Sequence, residues 1–293
     1  MPQFLRKRST RIALTATTGV LTATLGFFAW QSFYPVQAAS GWDVEVLHRD
    51  VAKAASLLPQ ADGSLLVSRE LDDGRGSILK ITATGDRVVV VDNLSKPDGM
   101  VAAQGGWVFS QEGGQAPVSL ARDGQVTHLF DGESVQGLWN DGNHLYAIED
   151  RKGNGRLMRY DWASGQLDVL RSGLTETEGL ARCNDGRLLY TEKANGKVRA
   201  LSDDGKDPVV VDGLRNPTFL FCDQRGLWVS EDNTHRARLL LIGADGVQHT
   251  MLTFLKAPQS IVADGKGGYL LAEGGRNRVL HLTPPPAHDT AQR

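Results

Sequence analysis

The chain has 293 residues, 41% of them hydrophobic and 23% charged, which is the make-up of an ordinary globular protein rather than of a disordered, collagenous or wholly membrane-embedded one. The formal charge of −2 hides an asymmetry: Arg6, Lys7, Arg8 and Arg11 lie in the first eleven residues with no acid among them, and the remainder carries −6. A body of that sign, without clustered Lys and Arg, excludes a nucleic-acid partner, because phosphate contacts need such clusters.

The first element is the basic N-terminus, followed by an uncharged stretch from Ile12 to Phe33. A basic flank before an uncharged, mostly apolar run is the pattern of a secretory signal or of a signal anchor. Val36-Gln37-Ala38 supplies a small-residue cleavage pattern before Ala39. Two readings therefore stand: cleavage near Ala38 and release, or retention in the membrane through residues 12–33. In both, the body is exported, and the expected location is periplasmic. The expected organisation is a targeting segment over 1–40, one folded domain over 41–286 and a disordered tail over 287–293.

Beyond residue 50 a unit of about forty residues recurs six times. Its most regular mark is a short apolar run ending at an acid: Glu70, Glu112, Glu149, Glu192, Glu231 and Glu273, separated by 42, 37, 43, 39 and 42 residues. A turn such as Ala61-Asp62-Gly63 or Asn184-Asp185-Gly186 precedes each run, an apolar stretch precedes that turn, and one or two further strands follow the acid. Four antiparallel strands per forty-residue unit make a propeller blade, and a blade buries its two faces only by stacking on its neighbours in a ring. The predicted fold is all-β, a six-bladed β-propeller. The sixth repeat runs out after three strands, so Trp42-Asp43-Val44-Glu45-Val46-Leu47 is expected to supply its outer strand and close the ring.

Successive blade strands are antiparallel, so the start of the first and the end of the second share one face of the ring. That face collects the six glutamates and the residues that open the inner strands, aligned here as Ser56, Asp98, Gln136, Glu178, Thr218 and Gln259. Crowded carboxylates repel one another unless a cation sits among them, and Ca²⁺ or another divalent ion suits such oxygen donors. Asp98, Glu178 and the Gln136 amide oxygen are the candidate metal ligands, with Asp98 and Glu178 also the candidate catalytic acids. The six glutamates form a channel-face acidic ring, or else each serves its own blade by accepting backbone N–H groups or pairing with an arginine such as Arg75, Arg156 or Arg278.

These residues resemble known propellers. Pro97-Asp98-Gly99-Met100 is similar to a strand-opening motif of the gluconolactonase and senescence-marker-protein family, and Glu273-Gly274-Gly275-Arg276-Asn277-Arg278-Val279 resembles the NHL repeat. Trp228-Val229-Ser230-Glu231 and Tyr190-Thr191-Glu192 resemble the streptogramin lyase repeat. The likeness spans nearly all of residues 42–283. The lactonase resemblance implies a calcium-dependent hydrolase of a lactone or small ester, with Asp98 as the metal-binding acid. The sequence departs from that pattern at its first and Asn-type ligands, since Ser56 opens the first blade and no opener is Asn, which leaves Glu178 as a substitute. A lyase would instead need His235, four residues after Glu231, at the acidic face.

Cys183 and Cys222 occupy matching positions on the inner strands of neighbouring blades, where they could form a disulfide in an exported protein or remain two buried thiols. Neither has a histidine at a readable spacing, and no CxxC, HExxH, GxSxG or phosphate-binding loop is present. Trp107, Trp139 and Trp228 fall within strands and read as inter-blade packing. Three functions follow: the calcium-dependent hydrolase of a small-molecule substrate, a non-enzymatic module that binds an envelope protein or peptide, and a lyase.

Overall fold

A computed structural model describes residues 3–233 and 236–286, and within the N-terminal helix the side chains of 15–30. It separates into two units, Met1–Pro35 and Val36–Arg293. The first is the helix Gln3–Phe33. Among the described residues no helix is long and apolar enough to cross a membrane. The expected tail over 287–293 and His235 lie outside the described residues.

The second unit is a six-bladed β-propeller. The first three blades each run from inner to outer strand in chain order: Ala54–Pro59, Leu65–Arg69, Gly76–Ile81 and Arg87–Leu94; then Pro97–Ala103, Gly106–Gln111, Gln115–Arg122 and Gln125–Glu133; then Val135–Asn140, His144–Glu149, Gly155–Asp161 and Leu167–Leu174. The fourth comprises Leu180–Arg182, Leu188–Glu192, Lys197–Ala200 and Val209–Val211, and the fifth Pro217–Asp223, Gly226–Glu231, Ala237–Ile242 and Gln248–Leu255. In the sixth, Pro258–Ala263, Tyr269–Glu273 and Arg278–Thr283 are followed on the outside by Asp43–His48, with Asp43 opposite Thr283 and Val44 opposite Leu282. The two ends of the unit thus share one sheet.

The fifth blade carries an additional strand. Gln37–Ala38 pairs with Thr253 and Leu252, and the Ala39 N–H donates to the Met251 carbonyl at 2.8 Å. Val36, Ala38, Ala39 and Trp42 pack on the core around Trp228, Leu252 and Tyr269. The propeller unit therefore begins before residue 41, and the small residues read as a processing pattern are part of a blade.

The core lies between blades, in clusters that combine strands of adjacent sheets, such as Leu189 and Val198 with Leu220, Val229 and Leu240. Trp228 is fully buried, 4.5 Å from the Tyr269 ring and 5.9 Å from that of Trp42. The inner strands approach so closely that a Cβ on Gly99 would strike the Gln136 carbonyl, and one on Gly137 would strike that of Glu178. This explains why Asp98 and Gln136 are each followed by glycine: only a residue without Cβ lets the next blade close. Second-strand hydroxyls stitch the same region. Ser110 Oγ accepts the Gly99 N–H at 3.0 Å and donates to the Gln136 carbonyl at 2.9 Å, while Ser68 Oγ accepts the Ser56 N–H at 2.7 Å and donates to the Asp98 carbonyl at 3.2 Å.

Cys183 and Cys222 are joined in a disulfide linking the fourth and fifth blades, with Cα atoms 5.0 Å apart and a separation of 39 positions in sequence. Closing a loop of that length removes unfolded-state entropy worth about 3–4 kcal/mol on a chain-entropy basis. Reduction, or a Cys183→Ala/Cys222→Ala double substitution, is expected to lower stability by about 2–4 kcal/mol in urea melts while leaving the far-UV circular dichroism native.

Candidate functional site

The register of each blade decides which side chains reach the channel mouth. The residue paired with the first of the inner strand is Arg69 opposite Ala54, Gln111 opposite Pro97, Glu149 opposite Val135, Glu231 opposite Pro217 and Glu273 opposite Pro258. The six glutamates are thus not equivalent. Glu149, Glu231 and Glu273 are fully buried within their blades. Glu149 receives Arg156 at 2.9 and 2.5 Å, Glu231 receives Arg238 at 2.6 and 2.8 Å, and Glu273 receives Arg278 and Arg276, each at 2.5 Å. Each of the three also accepts a backbone N–H from the end of the preceding blade: Glu133, Arg215 and Lys256, at 2.9, 2.8 and 2.8 Å. Glu192 pairs with Arg199 at 2.8 Å. In the second blade Gln111 takes this locking position, its Oε1 accepting the Ser95 N–H at 2.8 Å.

Glu70 and Glu112 lie one residue further along and turn to the mouth instead. There they meet Lys96, which contacts Glu112 directly and Glu70 at 3.4 Å. Arg75, expected to pair with a blade glutamate, donates to the Asp72 carbonyl at 3.2 Å instead. Of the two readings the repeat allowed, a channel-face ring or acids that serve their own blades, Glu149, Glu231 and Glu273 are bonded within their blades, whereas Glu70 and Glu112 meet Lys96 at the mouth. Successive strand residues face opposite sides, so the one-residue slip changes the face.

The positions equivalent to Glu70 and Glu112 are identified by a repeated bond. The N–H groups of Glu70, Glu112, Asp150, Lys193, Asp232 and Gly274 donate respectively to the carbonyls of Lys53, Lys96, Ser134, Glu176, Asn216 and Ala257. Those six acceptors all have positive φ, between 44° and 53°. Asp150, Lys193 and Asp232 are functional candidates that the sequence reading missed; the signal available for them was their place one residue beyond the locking acid.

Counting two residues on from the same carbonyls gives the openers: Ala55, Asp98, Gln136, Glu178, Thr218 and Gln259. The first-blade opener is therefore Ala55, a correction to Ser56, whose Oγ instead accepts the Met100 N–H at 3.0 Å. Asp98, Gln136, Glu178 and Thr218 are buried, Gln259 half-buried. Below this ring the channel holds a cavity of about 200 Å³ lined in part by Leu57, Met100, Leu138, Leu180, Leu220 and Ile261.

The polar groups of the mouth are unevenly satisfied. Lys193 Nζ contacts Glu178 Oε1 at 2.5 Å and Asp232 at 3.8 Å. Gln136 Nε2 reaches Asp150 at 3.5 Å. Asp98 Oδ1, Gln136 Oε1, Asp150 Oδ1 and Asp232 Oδ1 are buried oxygens with no hydrogen-bond donor. Burial, followed by the charges of Glu70, Glu112 and Glu178, raises the Asp98 carboxyl well above its ordinary range. Burial lifts Glu178 to about 8 against the pull of Lys193, and Asp150 to about 6. Asp98 and Glu178 hold equivalent places in the repeated bond pattern, at the openings of the second and fourth blades with Gln136 of the third between them.

Both comparisons at the level of sequence are negative: no family model and no curated protein matches. Solved structures do match. A gluconolactonase from Xanthomonas campestris is 18% identical over 85% of this chain and 91% of its own, with a TM-score of 0.69. A structure of the nidogen/laminin complex matches at 15% identity over 74% of this chain and 95% of the other, with a TM-score of 0.60. A catalytically inactive virginiamycin B lyase from Staphylococcus aureus matches at 17% identity over 81% and 82%, with a TM-score of 0.57. At these identities the likeness establishes the propeller fold alone, a fold shared here by two enzymes and by a nidogen/laminin complex.

The donor atoms of the mouth test its fit to a divalent cation. Two buried oxygens without a donor, Asp98 Oδ1 and Gln136 Oε1, have the chemistry a hard cation requires. Glu178, the third expected ligand, is engaged by Lys193. Among the described residues no group of three or more His, Cys, Asp or Glu side chains is gathered for a metal.

Proposed function

We propose that the protein is an exported hydrolase of a lactone or similar small ester, worked by the mouth of the propeller channel. The observation that carries this reading is the set of buried, unpartnered oxygens on Asp98 and Gln136 beside the ion-paired Glu178. A divalent cation such as Ca²⁺, held by Asp98 and Gln136, would polarise the substrate carbonyl. Glu178, buried and linked to Lys193, moves the proton between the attacking water and the leaving oxygen. Asp150, beside Gln136, orients that water through its free Oδ1. The basic N-terminus and the uncharged run after it support export, either anchored or released.

With Asp98 and Gln136 as its two protein ligands, the site belongs at the weak end for calcium, with an affinity on the order of 10⁻⁴–10⁻³ M. Ten millimolar CaCl₂ should then stabilise the propeller by roughly 1–3 kcal/mol and raise the melting temperature by a few degrees. Asp98→Asn should abolish that rise, and EDTA should remove both the rise and turnover on a lactone and ester panel. Turnover unaffected by EDTA or by Asp98→Asn would refute the reading.

Capture of a cationic peptide or envelope protein is the second reading, supported by the excess of carboxylates at the mouth (Glu70, Asp98, Glu112, Asp150, Glu178 and Asp232) over Lys96 and Lys193. It predicts no turnover, and loss of binding on reversing Glu70 and Glu112 to lysine.

A further inference from the structure

Lys193 is the one cation in the ring that otherwise presents Glu70, Glu112, Asp150, Asp232 and Gly274. It is three-quarters buried, and its ammonium lies between the carboxylates of Glu178 and Asp232, at 2.5 and 3.8 Å. An ammonium in this place does part of the work of a bound metal ion: it sets one positive charge against two acid side chains at once. Lys96 sits in the same way between Glu70 and Glu112, yet Asp98 Oδ1 and Gln136 Oε1 are left without any hydrogen-bond donor.

We propose that Lys193 is a tethered cation that competes with a divalent ion for Glu178, so that the chain's own side chain sets the metal affinity of the mouth. This rests on the reading that Asp98 and Gln136 can hold such an ion, and goes beyond it by assigning the missing ligand and what withholds it. The step is an exchange of partners with no change in covalent bonding: a divalent ion enters beside Asp98 and Gln136, Glu178 turns from Nζ to the ion, and Lys193 keeps Asp232. Coulomb repulsion between the ammonium and the incoming ion opposes the exchange as long as Lys193 remains between the two acids.

The test is Ca²⁺ binding to the purified propeller unit with its disulfide intact, or to the full chain in detergent, read by isothermal calorimetry and by the calcium-dependent melting shift. Lys193→Met keeps the length and apolar stem of the side chain and removes the charge. It should bind Ca²⁺ at least tenfold more tightly than the wild type. Lys193→Arg, which retains a cation, should not, and adding Glu178→Gln to Lys193→Met should cancel the gain. Lys193→Gln provides the same comparison should the methionine variant not fold. A folded, charge-free variant that binds Ca²⁺ no more tightly than the wild type overturns the proposal, even if wild-type binding supports the metal reading. Binding by Lys193→Met alone, with none in the wild type, would uphold it while refuting a native metal.

Discussion

Replacing Glu231 by leucine should cost about 3–5 kcal/mol of stability and lower the melting temperature by roughly 10 °C or more, a large effect for a residue outside the catalytic set. The carboxylate is fully buried, and it accepts two charge-assisted bonds from Arg238 and one from the Arg215 N–H. Its loss strands a partly buried guanidinium and an N–H in the joint between the fourth and fifth blades. The double variant Glu231→Leu/Arg238→Leu should recover much of the loss, because a buried pair replaced by apolar groups is often near neutral. Calcium binding should be unchanged in both, since Glu231 belongs to the blade and not to the mouth. Equal stability of the single variant and the wild type in thermal or urea melts would remove the locking role assigned to Glu149, Glu231 and Glu273 together.

Glu178→Gln should lower kcat/KM by 10²–10⁴, the range of general acid–base catalysis, with the fold intact. The same substitution has a signature in stability. Burial raises Glu178 from the ordinary 4.5 to about 8 in the folded protein. Between those values the folded state holds a proton that the unfolded chain has released, so this group's contribution to stability is full below about pH 4.5 and falls as pH rises through 8. Asp150, raised to about 6, acts in the same direction over the lower part of the window. Wild-type melting temperatures should therefore decline between pH 5 and 8, and Glu178→Gln should flatten the decline. An unchanged slope would show that Glu178 is solvated rather than enclosed at the mouth.

The six-fold repeat is legible in the sequence because each blade needs the same turn, the same apolar strands and the same locking acid. A period of about forty residues can be counted without coordinates. Asp98, Gln136 and Glu178 were also legible, since each precedes a residue forced to be small or apolar by the neighbouring blade: Gly99, Gly137 and Gly179. The matching positions of Cys183 and Cys222 could be counted in the same way. Whether they bond depends on the 5.0 Å approach of two inner strands, and spacing alone does not fix that distance.

What the sequence by itself determined is the architecture: blade number, strand order and the face on which the inner strands open. What only the tertiary structure decided is the facing of individual side chains at that opening. Glu70 and Glu112 look like Glu149 and Glu231 in the repeat, yet a shift of one residue in an extended strand turns a side chain from the blade interior to the channel. The same shift makes Ala55 the opener in place of Ser56, and brings Asp150, Lys193 and Asp232 to the mouth. Periodicity reports the length of a repeat, but strand pairing sets its register to a single residue, and at the channel mouth that one residue separates a structural ion pair from a candidate site.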